Sequence, residues 1–511
     1  MHIKSVIQDI DILHISGELS GDVSAICYDS RKCENNCMFV AVQGLKSDGH
    51  DFIAEAIARG AKFIVHEKDY TPPEGVTSLR VFNTRRILGS LGKNFYGNPS
   101  SRLCLIGVTG TNGKTTVTYL LESILKAAGF CVGVLGTVNY RFNEKVLPAP
   151  NTTPESYELQ RVLREMADEE VTHVVMEVSS HAVDLKRIDD CSFDMGIFTN
   201  LTQDHLDYHV TMENYFQAKK RFFDEILPAG GKQHQYSMIV NKDDTWGQRL
   251  LTEVGTKLPA LTFGLENSCD MTAEGYLFSL DGIQADITIG NTQFSISSPL
   301  IGKFNLYNIL AAIAASVSLN IPEQCTQEGI KNLKNVPGRL DKVSDSGQPG
   351  IFVDYAHTDD ALRRVLQNLS AFKKGKLITV FGCGGDRDRG KRPLMGNAAT
   401  TLSDLAIVTS DNPRTEDPLS IIREIETGIR KDVVKQFLPK ELNKNTHERC
   451  YVVIPDRKQA IETAIALADK KDIVLIAGKG HEDYQIIGTK KTPFDDRQIA
   501  KEAVMKKHGE T

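Results

Sequence analysis

The stretch RLCLIGVTGTNGKTT, residues 102–116, constrains the fold more than any other part of this 511-residue chain. An apolar run gives way to a glycine-bearing turn. The turn opens a segment whose apolar positions, Val117, Leu120, Leu121, Ile124, Leu125 and Ala128, recur at helical spacing. A glycine then stops the helix ahead of CVGVLGTVNY, which predicts a second strand. Strand, helix and strand in this order make a βαβ unit, and such a unit needs a mostly parallel sheet buried on both faces. THVVMEV, MGIFTNL and SMIVNKD supply further near-continuous apolar strands for that sheet.

Before this unit, short strands (KSVIQ, DILHIS, CMFVAV, AKFIVHE) mix with one helix, DFIAEAIARG, and end at the turn-rich NFYGNPSS. After it, the turn-like NVPGRLDKV opens a block in which GIFVDYA, KLITVFGCGG, DLAIVTS and DIVLIAG alternate with the helical segments IIREIETGI and KQAIETAIALADK. That alternation is doubly wound α/β. The expected architecture is three α/β domains. A smaller N-terminal domain covers residues 1–99, a central P-loop NTPase-like parallel sheet 100–337, and a C-terminal Rossmann-like sheet 338–511. The length agrees, at about 150 residues per domain.

A net charge of −6 argues against a dedicated nucleic-acid binder or a basic membrane-surface protein. MHIKSVIQDIDIL lacks a basic region followed by an apolar core, so no signal peptide is expected. No apolar run approaches the ~18 residues of a membrane span. The ten cysteines fall mostly in apolar runs, as Cys104 and Cys131 do, which fits reduced core thiols and a cytoplasmic location. Cys33 and Cys37 could pass for half a zinc site, but no second CxxC or HxxxH pair lies nearby in sequence, and no site is expected there.

GTNGKTT stands where a phosphate-binding turn belongs, with Gly110, Thr111, Asn112, Gly113, Lys114, Thr115 and Thr116 at the helix N-terminus. Lys114 would hold β/γ-phosphates and Thr115 would ligate Mg²⁺. The spacing departs from the strict pattern: the residue five before Gly113 is Val108, and Gly107 lies one place too early. A nucleotide site also needs an acid at a neighbouring strand end, and Glu177 closes THVVMEV, followed by Ser179, Ser180 and His181. TNLTQDHLDYH leaves another strand end with Asp204, His205, Asp207 and His209. The two histidines have the spacing of a helical zinc pair, yet Leu206 stands where HExxH has its glutamate, so a zinc protease is not expected.

Taken together, GTNGKTT, MEVSSHA, TNLTQDHLDYH and AKKRFF, in this order, resemble the Mur ligases, ATP-dependent amide-forming enzymes of peptidoglycan precursor synthesis. YDSRK, FVAVQGLKSDGHDFI, NTTPES, GKFNLYNILAA, VPGRLD, DYAHTDDAL, GCGGDRDRGKRPLMG, DNPRTEDP and AGKGHEDYQ narrow the likeness to the branch that adds meso-2,6-diaminopimelate as the third peptide residue. The resemblance implies that ATP phosphorylates the γ-carboxylate of D-Glu in UDP-N-acetylmuramoyl-L-Ala-D-Glu and that the incoming amine displaces phosphate. It implies Thr115 and Glu177 at one Mg²⁺ and His205 at another. Lys219 matches the position that CO₂ converts to a carbamate, turning a repelled amine into an oxygen ligand; Lys220 ranks well below it. Asn305 and Asn308 correspond to asparagines near adenine.

For the UDP-sugar peptide, the family's positions fall on Ser30, Leu45, Lys46, Ser47, Asn151, Thr152, Thr153, Ser179 and Arg187. Leu185 replaces a glutamine that some members carry, and Leu45 replaces a polar residue, so contacts there would pass through backbone or water. For diaminopimelate the positions are Arg387, Asp411, Asn412, Pro413, Arg414, Gly478 and Glu482. Diaminopimelate differs from lysine by one distal carboxylate, which a guanidinium such as Arg414 can grip with two prongs. Lysine bound there would leave Arg414 unpaired, which disfavours the lysine-adding form. The N-terminal motif disfavours a folylpolyglutamate synthase, and the set of metal ligands disfavours a non-catalytic nucleotide-binding scaffold. The cluster Arg387, Arg389, Lys391 and Arg392 is expected to meet small anions, and the chain is expected to be a monomer.

Overall fold

The structure, a computed structural model, describes residues 1–44, 47–232, 237–344, 348–443 and 448–508. The chain divides into two compact units, residues 1–272 with 307–329 and residues 273–306 with 330–511. Within this division the architecture is that of three α/β domains, two of them in the first unit.

The N-terminal sheet runs in the order Ile12–Ser16, Thr77–Val81, Phe63–His66, Met38–Val40 and Ile26–Cys27. Its neighbours are parallel except for the first pair. Val40, Phe63, Val65 and Leu79 fill one face, and Phe39, Ile53, Ala56 and Ile64 the other. KSVIQ, expected as a strand, is a helical turn, Ile3–Val6: Ile3 and Val6 are both buried at a spacing of three, and the His2 ring accepts from the Lys4 amide. The strand Thr77–Val81 and the helix Thr84–Tyr96 were not anticipated. NFYGNPSS is the last turn of that helix, closed by Gly97 at φ 72°, followed by a short 3-10 turn, Pro99–Arg102. The helix packs on Ser156–Asp168 of the next domain, where Ser90 donates to Asp190 (2.6 Å) and the Tyr96 and Tyr157 hydroxyls meet at 2.8 Å.

In the central domain six parallel strands run in the order Ala260–Phe263, Met238–Asn241, Met195–Phe198, Cys104–Thr109, His173–Glu177 and Val132–Leu135. CVGVLGTVNY is not one strand. It folds back after Leu135 through Gly136, and Tyr140 begins an antiparallel strand, Tyr140–Phe142. Gly107, out of register for a phosphate loop, is a packing residue: an added Cβ would stand 2.5 Å from the ring of Phe222. That ring belongs to a π-helical turn, Phe222–Ile226, which extends the Met212–Arg221 helix beneath the sheet.

In the second unit a seven-stranded sheet runs Asp341–Lys342, Gly350–Asp354, Ile473–Ala477, Leu377–Phe381, Leu405–Val408, Cys450–Val453 and Lys435–Phe437, parallel except for the first. Separate apolar cores cover its two faces, as a doubly wound sheet requires. The unit also carries the antiparallel strands Gly282–Ile289 and Thr292–Ser298.

Among the described residues, one ion pair in this unit is fully buried. Arg457 donates to both oxygens of Asp496 (2.8 and 2.7 Å) and to the Ala477 carbonyl (3.0 Å), with neither side chain exposed. Arg457→Leu strands the carboxylate in the core and is expected to lower unfolding free energy by about 3–5 kcal/mol. Denaturant titration of the variant beside the parent checks it.

Candidate active site

The phosphate loop is shaped by two glycines and by the strand end beside it. Gly110 takes φ 145° and Gly113 φ 90°. An added Cβ on Gly110 would collide with the Thr199 hydroxyl, and one on Gly113 with the Asn308 side-chain carbonyl. The segment Thr199–Thr202 then laces the loop in place. The Thr111 amide donates to the Asn200 carbonyl (2.9 Å), the Asn112 amide to Asn200 Oδ1 (3.0 Å), and the Thr199 hydroxyl to the Asn112 carbonyl (2.6 Å). Lys114, the first helical residue, turns back over the loop and donates to the carbonyls of Gly110 (2.8 Å) and Thr111 (2.9 Å).

Glu177 ends the strand next to the loop strand and is 1% exposed. Its carboxylate accepts from the Thr115 hydroxyl (3.0 Å), the Thr137 amide (2.9 Å) and the Thr137 hydroxyl (2.9 Å). Hydroxyl and carboxylate, side by side at the phosphate loop, are hard oxygen donors of the kind Mg²⁺ takes. Thr137 was not anticipated. Its role depends on a fold-back after Leu135 that local sequence does not announce.

Lys219, also 1% exposed, donates to the Gly110 carbonyl (3.0 Å) and the Thr109 hydroxyl (3.4 Å) and lies 4.8 Å from the centre of the Tyr215 ring. Burial, then the charge of Lys114, push its amine well below the ordinary lysine range. Lys220 points elsewhere, pairing with Glu253 at 2.6 Å. His205 sits at φ 54° near His181 (ring centres 4.9 Å apart) and Tyr215. Desolvation, then His181, Lys114 and Lys219, bring its pKa down to about 4 against the pull of Asp204. His209 is used structurally: its ring meets the Ser180 hydroxyl at 2.9 Å and stacks on Tyr215.

Around the far side of Glu177, the Thr153 hydroxyl donates to the Glu177 carbonyl (2.8 Å) and accepts from the Ser179 amide (3.1 Å), while Arg187 donates to the Thr153 carbonyl (3.2 Å). Thr152 meets Thr137 (3.1 Å), and the Asn151 carbonyl accepts from Tyr140 (2.5 Å). Glu155, between Arg187 (3.6 Å) and Arg85 (3.3 Å), ties this cluster to the N-terminal domain, because Arg85 also donates to the Gln43 carbonyl (3.2 Å). Neither Arg85 nor Glu155 was anticipated. Leu185 caps the short helix Ser180–Asp184 through its backbone. The Ser30 hydroxyl donates to Glu55 (2.9 Å), and the Ser47 carbonyl accepts from Gly44 (2.9 Å). Leu45 and Lys46 lie outside the described residues.

In the second unit, Asp417 caps Pro418–Glu426 as the sequence predicts, accepting from the Ser420 amide at 3.0 Å. Arg414 adopts φ 52°, pinned by its amide to the Ile486 carbonyl (3.1 Å) and by its carbonyl to the Gly488 amide (2.7 Å). Its guanidinium donates to the Gly385 carbonyl (2.7 Å) and flanks Gly384 with the exposed Arg387. Pro413 is buried at the close approach to Gly385. Asn412 is held on three sides, donating to Glu482 (2.8 Å) and accepting from Lys479 (3.1 Å) and the Ile486 amide (2.9 Å). Asp411 lies against Gly478, which takes φ 118°. Burial and Asp411 raise the Glu482 carboxyl above its usual range. Lys479, fully buried, was missed, although a lysine between glycines at a strand end was a legible sign. Asn305 belongs to this unit and donates to the Ile301 carbonyl (2.9 Å).

One expectation fails here. Arg392 is not available to an external anion: it is fully buried and pairs with Glu416 (2.8 Å) and Glu424 (2.8 Å), and Arg389 shares Glu416 (2.9 Å). Those two carboxylates, distant in sequence, already neutralise half of the basic cluster.

A phosphate-loop motif with a buried acid and a buried amine beside it, followed by a Rossmann-like domain, defines a nucleotide-binding P-loop class. Residues 22–96, 108–316 and 338–480 match, in turn, the families described as Mur ligase family, catalytic domain; Mur ligase middle domain; and Mur ligase, glutamate ligase domain. A UDP-N-acetylmuramoyl-L-alanyl-D-glutamate--2,6-diaminopimelate ligase of Geobacter sulfurreducens is 45% identical over 98% of each chain, and one of Clostridium tetani 41% over 99% of each. The chain belongs to the Mur ligase family. A solved structure of a ligase with the same name is 31% identical, with a TM-score of 0.69 over 99% of each chain. A folylpolyglutamate synthase of Mycobacterium tuberculosis, 16% identical, shares the fold over 76% of this chain and 92% of its own (TM-score 0.61).

Proposed function

We propose that this chain is an ATP-dependent ligase that joins meso-2,6-diaminopimelate to the D-Glu γ-carboxylate of UDP-N-acetylmuramoyl-L-Ala-D-Glu, in cytoplasmic peptidoglycan precursor synthesis, as a monomer. The observation that carries the reading is the end-to-end identity with ligases of that name, 45% over 98% of both chains. The geometry is compatible with it. A carboxylate does not condense with an amine at neutral pH until its oxygen becomes a leaving group. The carboxylate oxygen therefore attacks the γ-phosphorus of ATP, ADP leaves, and an acyl phosphate forms. The substrate amine then attacks the acyl carbon, the C–O bond to phosphate breaks, and the amine proton passes to solvent.

On this reading the loop amides from Gly110 to Thr116 and the Lys114 amine hold phosphate oxygens, with Asn305 and Asn308 near adenine. Thr115 and Glu177 would hold one Mg²⁺, and His205 with carbamylated Lys219 the other. Bound Mg²⁺ supplies the charge neutralisation that lets carboxylate and triphosphate approach. Lys219 suits carbamylation because a neutral amine, not an ammonium, adds to CO₂, and its buried setting favours the neutral form. Ser30, the 45–47 segment, Asn151–Thr153, Ser179 and Arg187 would receive the UDP-sugar peptide. Arg414, with Asn412 beside it and Arg387 assisting, would take the distal carboxylate of diaminopimelate, while Gly478 and Glu482 would hold its distal amino group. Domain limits at 99 and 337 belong to the same proposal.

Phosphate release in the presence of ATP, Mg²⁺ and the UDP-dipeptide is expected with meso-diaminopimelate and not with L-lysine; the reverse preference would refute the specificity. Lys219→Ala should abolish turnover, with partial rescue by an added short carboxylic acid, and full activity in the variant would exclude the carbamate. Arg414→Ala should weaken diaminopimelate binding about tenfold or more, the scale of a lost charge-assisted pair. Titration calorimetry with ATP and with diaminopimelate separates the cases, since equal loss of both would mark the arginine as structural.

A further inference from the structure

The N-terminal sheet carries a side-chain cluster that the ligase chemistry does not use. Cys27 ends the edge strand Ile26–Cys27, and the chain passes through the 3-10 helix Ser30–Lys32 to Cys33. A tight turn then delivers Cys37: Asn36 takes φ 65°, its amide donates to the Gly60 carbonyl (2.9 Å), and the Cys37 amide donates to the Glu34 carbonyl (3.1 Å). The three sulfurs lie within 4.8 Å of one another. In sequence only Cys33 and Cys37 looked like partners; the parallel pairing of Ile26–Cys27 with Met38–Val40 brings in the third.

We infer that Cys27, Cys33 and Cys37 form a three-thiolate site for zinc(II). A tetrahedral ion with Zn–S bonds of ~2.3 Å sets its sulfurs about 3.8 Å apart, inside the observed envelope. Three soft sulfur donors select thiophilic ions over Mg²⁺, so the site does not compete with the phosphate loop. Zinc(II) with three thiolates leaves one net negative charge where copper(I) would leave two. In a pocket walled by Phe39, Ile53 and Ile64 the smaller residual charge costs less. Three protein ligands leave a fourth position on a tetrahedral ion, which water would complete. Each ligating thiol releases its proton to solvent. The bound ion ties the edge strand to the loop that bears Ser30. Cysteines serving merely as small apolar side chains would take up no metal.

The test uses the full chain in excess Mg²⁺, loaded with zinc(II) or with cobalt(II), dialysed, and assayed for metal content, absorption and Tm. One zinc retained per chain, a Tm raised by several degrees, and an intense sulfur-to-cobalt charge-transfer band are expected. All three should be lost in Cys27→Ser and in Cys33→Ser. A wild-type chain that retains no zinc, or uptake undiminished in both variants, overturns the site. Copper(I) bound in preference to zinc(II) overturns the choice of ion. None of these readouts depends on ligase activity.

Discussion

Two lysine amines converge on one backbone oxygen. Lys114 and Lys219 both donate to the Gly110 carbonyl, at 2.8 and 3.0 Å, where little water reaches. Two ammonium ions cannot share that space at low cost, because like charges a few ångströms apart repel strongly when solvent does not screen them. The less accessible amine yields its proton more readily, and that amine is Lys219. The geometry that permits this is set by glycine: with any side chain at position 110 the Thr199 hydroxyl would be displaced, and with it the lacing of Thr111 and Asn112. Loop shape, amine protonation and the setting of Glu177 are therefore one problem with one solution.

The second unit handles charge in the opposite way. Its buried arginines keep their charge and are given carboxylates to match. Arg392 bridges Glu416 and Glu424, and the same Glu416 accepts from the Asp386 amide (2.6 Å). Because Glu416 lies two residues beyond Arg414, this tether couples the loop carrying Arg387 to the loop carrying Arg414. An arginine held at positive φ is strained, and the hydrogen bonds to Ile486 and Gly488 on either side of it offset that strain. Its guanidinium then depends on Gly384, bare of a side chain, for room to lie flat.

What could be read in the sequence was periodic or local. The βαβ unit, the central strands, the doubly wound C-terminal block and the Asp417 cap all follow from apolar spacing and turn residues within about fifteen positions. Motif order carried most of the candidate site, from Lys114 to Glu482. What could not be read depends on pairing at a distance. Ile3–Val6 is too short for periodicity to separate helix from strand. Thr137 reaches Glu177 across a fold-back, and Arg85 reaches Glu155 across seventy positions. Gly107 resembled a misplaced phosphate-loop glycine until Phe222 was found against it. Arg392 looked exposed because charge in a sequence carries no record of its counterions.

Three lysines show how environment, rather than residue type, sets what an amine can do. Lys220 lies among carboxylates near the surface, pairing with Glu253 at 2.6 Å and with Asp224 at 3.8 Å. Lys479 is fully buried but faces the Glu482 carboxylate (3.4 Å) and the Asn412 carbonyl (3.1 Å), so its charge has a counterion and a fixed direction. Lys219 is equally buried and meets a carbonyl, a hydroxyl and an aromatic face; among the described residues no carboxylate lies within ion-pair distance of it. Burial favours the neutral form of this amine, and a neutral amine has a lone pair to give. One-carbon addition there would turn a neutral amine into a negatively charged carbamate. That change would add negative charge beside Gly110, where the Lys114 amine also lies.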